Sequence, residues 1–448
     1  MSTPLSRSDE GMSMQVDHDE ERAVSVQVSE SKWSTGNAIE RSADLAAPAA
    51  PSSPVAVWPP STLEEWRLVP PDIPSLPIGR ARSLWNPLEA FFEGLGYSLF
   101  VLDERTSYQV PRNPTEIRAP DPYHVFVSGE PSPSRFSCPR NKLCAATRLS
   151  DGTHVVIQLL SINGDGMSEV DILRRLHLNP LATTYRNRCV PLLDLVTYEP
   201  ARMVFGIFPL SFTGYQAPLH GRASEALRTC HQLLESIAYL HSNLVAHLDI
   251  GPYEFLLNVG EALDSPFIKE RKGWTAILDD FYQRFDFQWS ITDFNLSMMF
   301  DPDSDPDTRR VTGLCDGKLK IPHLTYEKML GPEVWRDAIG APYCPFKHDI
   351  YQISKLLKGW LPPLFAEFAE LQSLFNEMAS DNPDHRPAMP EVLDRFIAIE
   401  KSIDEDRRTQ RLPFQQPVHH SEHIWALLPT GAHQTSSWAK TPQSQQWD

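Results

Sequence analysis

The apolar positions of this chain form strand-like runs first and helix-like patterns afterwards. In KLCAATRLSDGTHVVIQLL (142–160), two β-rich runs flank Asp151 and Gly152, a pattern typical of a β-hairpin. Farther along, RMVFGIFPL (202–210) is a short apolar run that predicts a buried strand ending near a proline. Strands followed by helices predict an α+β architecture, with a small sheet-rich part joined to a larger helical part.

Two helices are predicted from apolar residues at helical spacing. In SEVDILRRLHL (168–178), Val170, Leu173 and Leu176 recur every three residues, and Glu169 stands just before them. The run EALRTCHQLLESIAYLHS (225–242) also repeats its apolar groups along one helical face. It leads directly into LVAHLDIGPYEFLLN (244–258), in which polar residues are followed by a short apolar strand.

The two ends of the chain have a different composition from the periodic region between residues 136 and 400. Residues 1–57 are rich in Ser, Pro, Ala and acidic groups, and residues 401–448 are rich in Gln, Pro and His. Such segments bury too little apolar surface to offset the entropy of ordering, so both are predicted to be disordered tails.

Residues 58–135 are predicted to form an accessory segment packed on the main domain. Apolar residues at helical spacing precede Gly96, which is typical of the residue just beyond a helix, and a strand-like run follows. The apolar positions of this helix are Trp85, Leu88, Phe92 and Leu95.

Composition and charge exclude several classes of protein. The 448 residues carry a net charge of −17, which disfavours nucleic acid and anionic membranes, because both attract basic surfaces. No apolar run reaches the about 18 residues of a membrane span, and the first residues lack the apolar core of a secretory signal. The six cysteines form no CxxC pair and are expected to be reduced. An intracellular protein, cytoplasmic or nuclear, is therefore expected.

A series of short motifs follows in order between residues 136 and 400. They are VVIQ (155–158), Glu169, IFPL (207–210), HLD (247–249), DFN (293–295), GPE (331–333), KHDIYQISKLL (347–357) and DNPDHRP (381–387). In this order they resemble the landmarks of the protein kinase superfamily, particularly its fungal-type kinase-like members. The resemblance implies a bilobal fold, in which a small antiparallel β-sheet lobe with helix C (about 136–210) joins a larger, mainly helical lobe (about 211–400). It also implies an insertion at about residues 259–287.

The resemblance implies a role for each matching residue. Asp249 takes the place of the aspartate that accepts the proton of the substrate hydroxyl, and Asp293 and Glu254 take the places of Mg²⁺ ligands. The nucleotide-binding places are those of Gln158 and Glu169 together with the hinge residues Phe208, Pro209 and Leu210. The structural places are those of His247, Phe294, Leu173, Glu333, Asp349 and Arg386. Of these, Glu333 is expected to pair with Arg386, and Asp349 to anchor the backbone of the catalytic loop.

At the positions that hold phosphate in protein kinases, this chain has residues of a different type. Gln158 stands in place of the lysine that grips the α- and β-phosphates, and an amide brings no charge. Each charge-assisted bond contributes about 1.5–3 kcal/mol, so the exchange weakens phosphate binding. Counted back from LCAA, the three glycines of the phosphate loop fall on Phe136, Cys138 and Asn141, whose side chains hinder close approach of a phosphate.

Four further departures concern the catalytic loop and the motif that follows it. Glu254 replaces the asparagine that binds a second metal, although a carboxylate can ligate Mg²⁺ as well. Gly251 replaces the lysine that contacts the γ-phosphate, and Leu248 replaces the arginine that receives a phosphorylated activation loop. Asn295 replaces the glycine of DFG.

Two further groups are weighed as candidate sites. Lys142, on the strand before Gln158, can supply the missing amine, but the sequence favours a solvated surface lysine. The run HHSEH (419–423) has metal-like spacing, yet no cysteine or second cluster accompanies it, so no structural metal is predicted there.

A chain that keeps the scaffold motifs and loses the phosphate grip is predicted to be a pseudokinase. It would act as a binding or regulatory module for an unidentified protein partner, with weak or absent binding of ATP and Mg²⁺. The alternative is an atypical ATP-dependent Ser/Thr kinase that uses Asp249 as its base and Asp293 with Glu254 for Mg²⁺. An unrelated phosphotransferase with a kinase-like fold is the third reading.

Overall fold

A computed structural model describes residues 40–42, 58–68, 82–102, 109–112, 136, 141–213, 221–258, 288–312, 330–335 and 341–413. The strands are β1 (Glu40–Ser42), β2 (Tyr97–Leu99), β3 (Val101–Leu102), β4 (Gln109–Val110), β5 (Leu143–Arg148), β6 (His154–Ile162), β7 (Asp194–Tyr198), β8 (Met203–Pro209), β9 (Phe212–Thr213), β10 (Val245–Ala246), β11 (Phe255–Leu257), β12 (Trp289–Ile291), β13 (Met298–Met299), β14 (Val311–Thr312) and β15 (Pro342–Tyr343). The helices are α1 (Leu63–Leu68), α2 (Arg82–Trp85), α3 (Glu89–Gly94), α4 (Met167–His177), α5 (Ala223–Ser242), α6 (Pro332–Trp335), α7 (Pro345–Trp360), α8 (Pro362–Glu367), α9 (Ala369–Met378), α10 (Met389–Ser402) and α11 (Glu405–Thr409).

The largest sheet has the strand order β1-β7-β8-β6-β5-β2. All neighbours in it are antiparallel except β1, which lies parallel to β7 at the edge. The hairpin between β5 and β6 turns at the predicted place, where Gly152 adopts a φ of +75° and donates its N–H to the carbonyl of Arg148. Helices surround this sheet, so the predicted α+β class is confirmed.

The side chains of β6 alternate between the two faces of the sheet. Ile157 and Leu159 are buried on the outer face, where Trp66, Trp85 and Phe92 from the N-terminal helices pack against them. Successive residues of a strand point to opposite faces, so Gln158, between those two, points to the inner face. The accessory segment thus covers one side of the sheet, and it also contributes β2 to the sheet itself.

The inner face of the sheet shares a second hydrophobic core with the helices that follow. Leu160 and Phe208 of the sheet, Leu173 of α4 and Phe294 beyond β12 belong to one buried cluster with α5, α7, α9 and α10. The predicted periodicity is confirmed in both long helices, since the apolar residues of α4 and α5 are buried along the expected face. Among the described residues, no helix is both long enough and apolar enough to cross a membrane.

The boundaries of the two predicted tails need correction. Residues 40–42 form β1, so the N-terminal tail prediction is wrong for them. At the other end the helical part runs past residue 400, because α10 continues to Ser402 and α11 follows it. Leu412 then donates its backbone N–H to the carbonyl of Gly221, which ties this end to the start of α5. Residues 1–39, 43–57, 259–287 and 414–448, including HHSEH, lie outside the described residues.

Candidate functional site

The inner face of the sheet brings Gln158 against the start of α4. The side-chain amide of Gln158 donates a hydrogen bond of 3.0 Å to Oε1 of Glu169. Glu169 lies in the first turn of α4 and is only 3% exposed. A buried carboxylate needs partners for its charge, and Gln158 is a neutral one. The glutamine therefore reproduces the contact expected of a lysine without its charge.

The charged partner of Glu169 is Lys142. Its Nζ lies 3.7 Å from Oε2 of Glu169, and only 5% of the lysine is exposed. The sequence favoured a solvated lysine at this position, and that interpretation is wrong. Lys142 immediately precedes β5, and its carbonyl accepts the N–H of Leu159 on β6, which aligns it with the neighbouring strand. Lysine, glutamine and glutamate thus form one cluster between the sheet and α4.

The ammonium of Lys142 retains unused donor capacity. No hydrogen-bond acceptor lies within reach of Nζ among the described residues, so its contact with Glu169 is an ion pair at a longer distance. A lysine ammonium has three donors, and burying them without acceptors is costly. A ligand with anionic oxygens placed beside this cluster would satisfy them.

The backbone of the loop that contains Asp249 is hydrogen-bonded to the carboxylate of Asp349 on α7. Oδ2 of this fully buried carboxylate accepts the backbone N–H of His247 at 2.7 Å, and Oδ1 accepts that of Leu248 at 2.8 Å. Nε2 of His241 lies 3.0 Å from Oδ2. These bonds hold Leu248 at a φ of +67°, a left-handed conformation that a leucine rarely adopts.

His247 is a packed structural residue beside this loop. Burial lowers the pKa of His247, so its imidazole is neutral at neutral pH. Nε2 lies 3.0 Å from the carbonyl of Thr292 and therefore carries the proton, while Nδ1 accepts the backbone N–H of Asp249 at 3.3 Å. The ring meets that of Phe294 edge-on, at 5.5 Å between centroids. His247 thus joins the Asp249 loop to the segment that follows β12.

Asp293 and Glu254 lie at the same end of the β11–β12 ribbon. Phe255 pairs with Ile291 in the ladder, and the N–H of Thr292 donates to the carbonyl of Glu254 at 2.9 Å. The side chains of Asp293 and Glu254 are both largely buried, whereas Asp249 is half-buried.

A metal would need ligands besides these carboxylates. Within the described ranges, no group of three or more His, Cys, Asp or Glu side chains is arranged to hold an ion. Mg²⁺ characteristically uses one or two protein carboxylates and completes its shell with phosphate oxygens and water. Asp293 and Glu254 match the number of carboxylates that such a site takes from the protein, and both are largely buried.

The hinge positions lie where β8 leaves the sheet. Phe208 and Pro209 pair with Val156 and Val155 of β6, and the N–H of Leu210 donates to the carbonyl of His154. Phe208 is buried in the inner core. Its ring lies over Gly206, where a Cβ would come within 2.7 Å of the ring atoms. Glycine at position 206 is therefore required for this ring to lie against the strand, a constraint that the sequence alone did not reveal.

The positions predicted to replace the phosphate-loop glycines have other contacts in the structure. The carbonyl of Asn141 accepts the indole N–H groups of Trp66 at 3.0 Å and Trp85 at 2.9 Å. Phe136 exchanges two backbone hydrogen bonds of 2.9 Å with Gln109. Cys138 lies outside the described residues. The part of the chain before β5 is thus bound to the N-terminal segment at both described positions.

Glu333 and Arg386 form the predicted ion pair, far along the chain from the cluster at Lys142. Two hydrogen bonds of 2.6 and 2.8 Å join the guanidinium to the carboxylate, and the arginine is almost fully buried. Arg386 also donates to the carbonyls of Ser380 and Lys347 and stacks over the ring of Tyr351. Through Arg386, the contacts with Glu333, Lys347 and Tyr351 secure α6 to α7.

Acid is expected to destabilise the fold through Glu333. Burial alone would raise the pKa of Glu333, but hydrogen bonds from Arg386 and His348 outweigh it and lower that pKa from 4.5 to about 2. The pair therefore contributes stability above pH 4.5, and this contribution is lost as the pH falls towards 2. Urea unfolding at pH 5 and at pH 3 measures the loss, and Glu333→Gln should reduce it. An identical pH dependence in the variant would contradict this assignment.

Two contacts of the site have no counterpart in the sequence-based predictions. The first is the pair of indoles on Asn141. The second is Arg175 of α4, whose guanidinium donates to the carbonyl of Phe300 at 3.1 Å and joins α4 to the segment after Phe294. Of these two contacts, only the first could be anticipated from the sequence, since a buried tryptophan usually finds an acceptor for its N–H. That rule predicts that each indole has an acceptor but does not identify Asn141 as the acceptor.

Comparison with known proteins assigns no family to this chain. No protein-family model matches it, and no curated protein matches it.

Proposed function

We propose that this chain contains a protein-kinase-like domain that binds a nucleoside triphosphate in a cleft between the cluster of Lys142, Gln158 and Glu169 on one side and Asp249, Asp293 and Glu254 on the other. In this proposal it acts as a binding or regulatory module with weak or absent phosphotransfer. The observation that carries the proposal is the buried cluster of Lys142, Gln158 and Glu169. It retains a positive charge for phosphate, although the charge comes from the residue before β5 and not from β6, where the family pattern predicts it.

The arrangement of the elements supports a kinase-like fold. Five strands run in the order β2-β5-β6-β8-β7, and α4 connects β6 to β7 and presents Glu169 to β6. An antiparallel sheet with a helix that carries Glu169 agrees with the small lobe that the resemblance implies. The hydrogen bonds from Asp349 to the loop backbone and the Glu333–Arg386 pair agree with the roles that the resemblance implies for these residues, and they support the proposal.

Each of the cleft residues would have a separate role in binding a nucleotide. Lys142 would neutralise charge on the phosphates, and Glu169 would orient its ammonium from the other side. The amide of Gln158 would add a neutral hydrogen bond. When bound, Mg²⁺ neutralises phosphate charge, and Asp293 and Glu254 are the residues placed to hold it.

Phosphoryl transfer is expected to be weak or absent, because the cleft lacks the phosphate-loop glycines and two cationic side chains of the family pattern. Close backbone approach to the phosphates needs glycine, and Phe136 and Asn141 instead carry side chains and are bonded to the N-terminal segment. Gly251 and Leu248 remove two further cationic side chains from the loop of Asp249. Phosphoryl transfer depends almost entirely on positioning and charge neutralisation, so these losses affect the rate more than the binding.

A second candidate function is favoured by Lys142 itself. A chain that keeps an ammonium in the cleft, together with Asp249, Asp293 and Glu254, has the charged groups of an atypical ATP-dependent Ser/Thr kinase. In that case Asp249 would accept the proton of the substrate hydroxyl. The two candidates differ in turnover and agree on nucleotide binding.

Nucleotide binding and turnover can be measured separately. ATP with Mg²⁺ is expected to raise the melting temperature, because a ligand at 100 times its Kd adds about 2.7 kcal/mol of stability. Transfer from γ-labelled ATP to the protein or to a generic basic substrate is expected not to exceed that of Asp249→Asn. Absence of any thermal shift would refute the nucleotide site. Strong autophosphorylation that Asp249→Asn abolishes would instead establish the second candidate.

A further inference from the structure

Residues close in the chain to Lys142 and to Glu169 are hydrogen-bonded to the N-terminal helices α1 and α2. On the lysine side, the carbonyl of Asn141 accepts the indole N–H groups of Trp66 and Trp85, at 3.0 and 2.9 Å. We call these three residues the indole clamp. Asn141 directly precedes Lys142, so the clamp fixes the peptide from which the lysine side chain starts.

The glutamate side is held by residues just before α1 and at its start. The backbone N–H of Leu63 donates to Oδ2 of Asp165 at 3.0 Å, and the amide of Asn163 donates to the carbonyl of Ser61 at 3.1 Å. Asp165 lies in the tight turn that leads into α4, where Gly166 precedes the helix at a φ of +92°. Glu169 follows in the first turn of that helix.

The glycine at this turn permits a close approach. A Cβ at position 166 would lie 2.2 Å from the carbonyl oxygen of Leu160 and 2.6 Å from a methyl group of Leu63. The start of α1 therefore lies directly against the turn that places Glu169. Lys142 precedes a strand of the sheet and Glu169 lies on α4, and the N-terminal helices contact a close chain neighbour of each, Asn141 and Asp165.

We propose that helices α1 and α2 are a built-in regulator of the cleft, which positions Lys142 relative to Glu169. The inference rests on the proposed nucleotide site and names how that site is controlled. With the clamp formed, the ammonium stays buried beside the carboxylate and is oriented for phosphate. When the two indole bonds are lost, only the long hydrogen bonds from the Asn141 amide to the carbonyls of Trp66 and Arg67 remain, at 3.4 and 3.5 Å. The turn at Asn141 then loosens, and Lys142 leaves Glu169. Trp66 and Trp85 are thus positioning residues that act through Lys142.

A purely structural role for the two tryptophans is the competing explanation. Both are buried in the outer core, where the rings lie 5.8 Å apart at nearly right angles. Replacing both with phenylalanine removes the two N–H donors and keeps aromatic groups in the core. Trp289→Phe is the matched control, because its buried indole donates to Thr229 of α5, away from α1 and α2.

The first measurement does not depend on a nucleotide. An amine-reactive acylating reagent is applied to the full chain, and modification of Lys142 is followed by peptide mass spectrometry. In Trp66→Phe/Trp85→Phe we expect acylation of Lys142 to be faster by about tenfold, because a buried amine reacts only after local opening. Trp289→Phe should leave the rate of Lys142 acylation unchanged. Lys347, which donates to the carbonyl of Arg386 in the helical part, should react at the parent rate in all variants if the fold is intact.

The second measurement is the affinity for ATP with Mg²⁺. We expect the double variant to bind about fivefold more weakly than the parent, a change of about 1 kcal/mol. In a Lys142→Met background the same double substitution should have no effect, because the clamp acts through the lysine. A structural role alone would weaken binding equally in both backgrounds.

The two measurements separate the clamp from the nucleotide site. Faster acylation of Lys142 without any ATP binding in the parent would support the clamp and refute the proposed function. Unchanged acylation of Lys142 in the double variant would overturn the clamp, whatever the parent binds. If the double variant does not fold, as general acylation of Lys347 would reveal, the single variants Trp66→Phe and Trp85→Phe are tested by the same criteria.

Discussion

Replacing Arg386 with alanine is expected to lower the free energy of unfolding by about 3–5 kcal/mol, the cost of leaving a buried partner charge uncompensated. The guanidinium makes two hydrogen bonds to Glu333 and two to backbone carbonyls, and it is almost fully buried. Its removal leaves the carboxylate of Glu333 without the guanidinium and takes one donor from each of the carbonyls of Ser380 and Lys347. Urea unfolding at neutral pH measures the change.

The matched control is a second bidentate Arg–Glu pair of similar geometry on the surface. Arg395 donates to Glu377 at 2.8 and 2.9 Å, and both side chains are exposed. Exposed pairs contribute about 0–1 kcal/mol, so Arg395→Ala should have little effect.

Asp249→Asn should leave the free energy of unfolding unchanged or raise it slightly, because polar groups of functional sites often reduce stability. If Arg386→Ala and Asp249→Asn lowered the free energy of unfolding equally, the ion pair would be no more important for stability than Asp249, which would contradict this prediction.

Replacing Lys142 with methionine is expected to weaken the binding of ATP with Mg²⁺ by about 10- to 100-fold. Each charge-assisted hydrogen bond to phosphate is worth about 1.5–3 kcal/mol, and methionine keeps most of the apolar stem while removing the charge. Gln158 would remain against Glu169 but brings no positive charge. Calorimetric titration of parent and variant measures the difference. Lys401→Met, which removes an exposed lysine, should bind as the parent does.

A lysine exchange tests whether the charge or the position matters. In Lys142→Met/Gln158→Lys the ammonium starts from β6, from the position that already contacts Glu169 at 3.0 Å. We expect this double variant to recover most of the affinity lost in Lys142→Met. In the parent background Gln158→Lys should bring little gain, since two ammonium groups would then share one carboxylate. Parent-like affinity in Lys142→Met would show that the buried lysine has a purely structural role.

Local patterns were sufficient to predict the elements that carry the site. The apolar spacing of Val170, Leu173 and Leu176 predicted α4, and all three are buried. The turn residues Asp151 and Gly152 predicted the β5–β6 hairpin that places Lys142 near Gln158. These predictions succeed because side-chain periodicity and turn conformation are properties of a few consecutive residues. The boundaries were less accurate, since β1 and α11 are short and depend on partners distant in the chain.

By itself the sequence determined the α+β class, the hairpin, the long helices and the order of the motifs from Gln158 to Arg386. Only the tertiary structure decided the state of Lys142, because a lysine at the start of a strand has the same local pattern whether it is solvated or buried. Its burial depends on α4, which follows it in the chain and brings Glu169 within 3.7 Å of its ammonium. The clamp likewise needed the fold, since the hydrogen bonds between Trp66 and Asn141 join residues that no periodicity relates. Long-range contacts of this kind arise from the packing of whole elements, which local sequence does not specify.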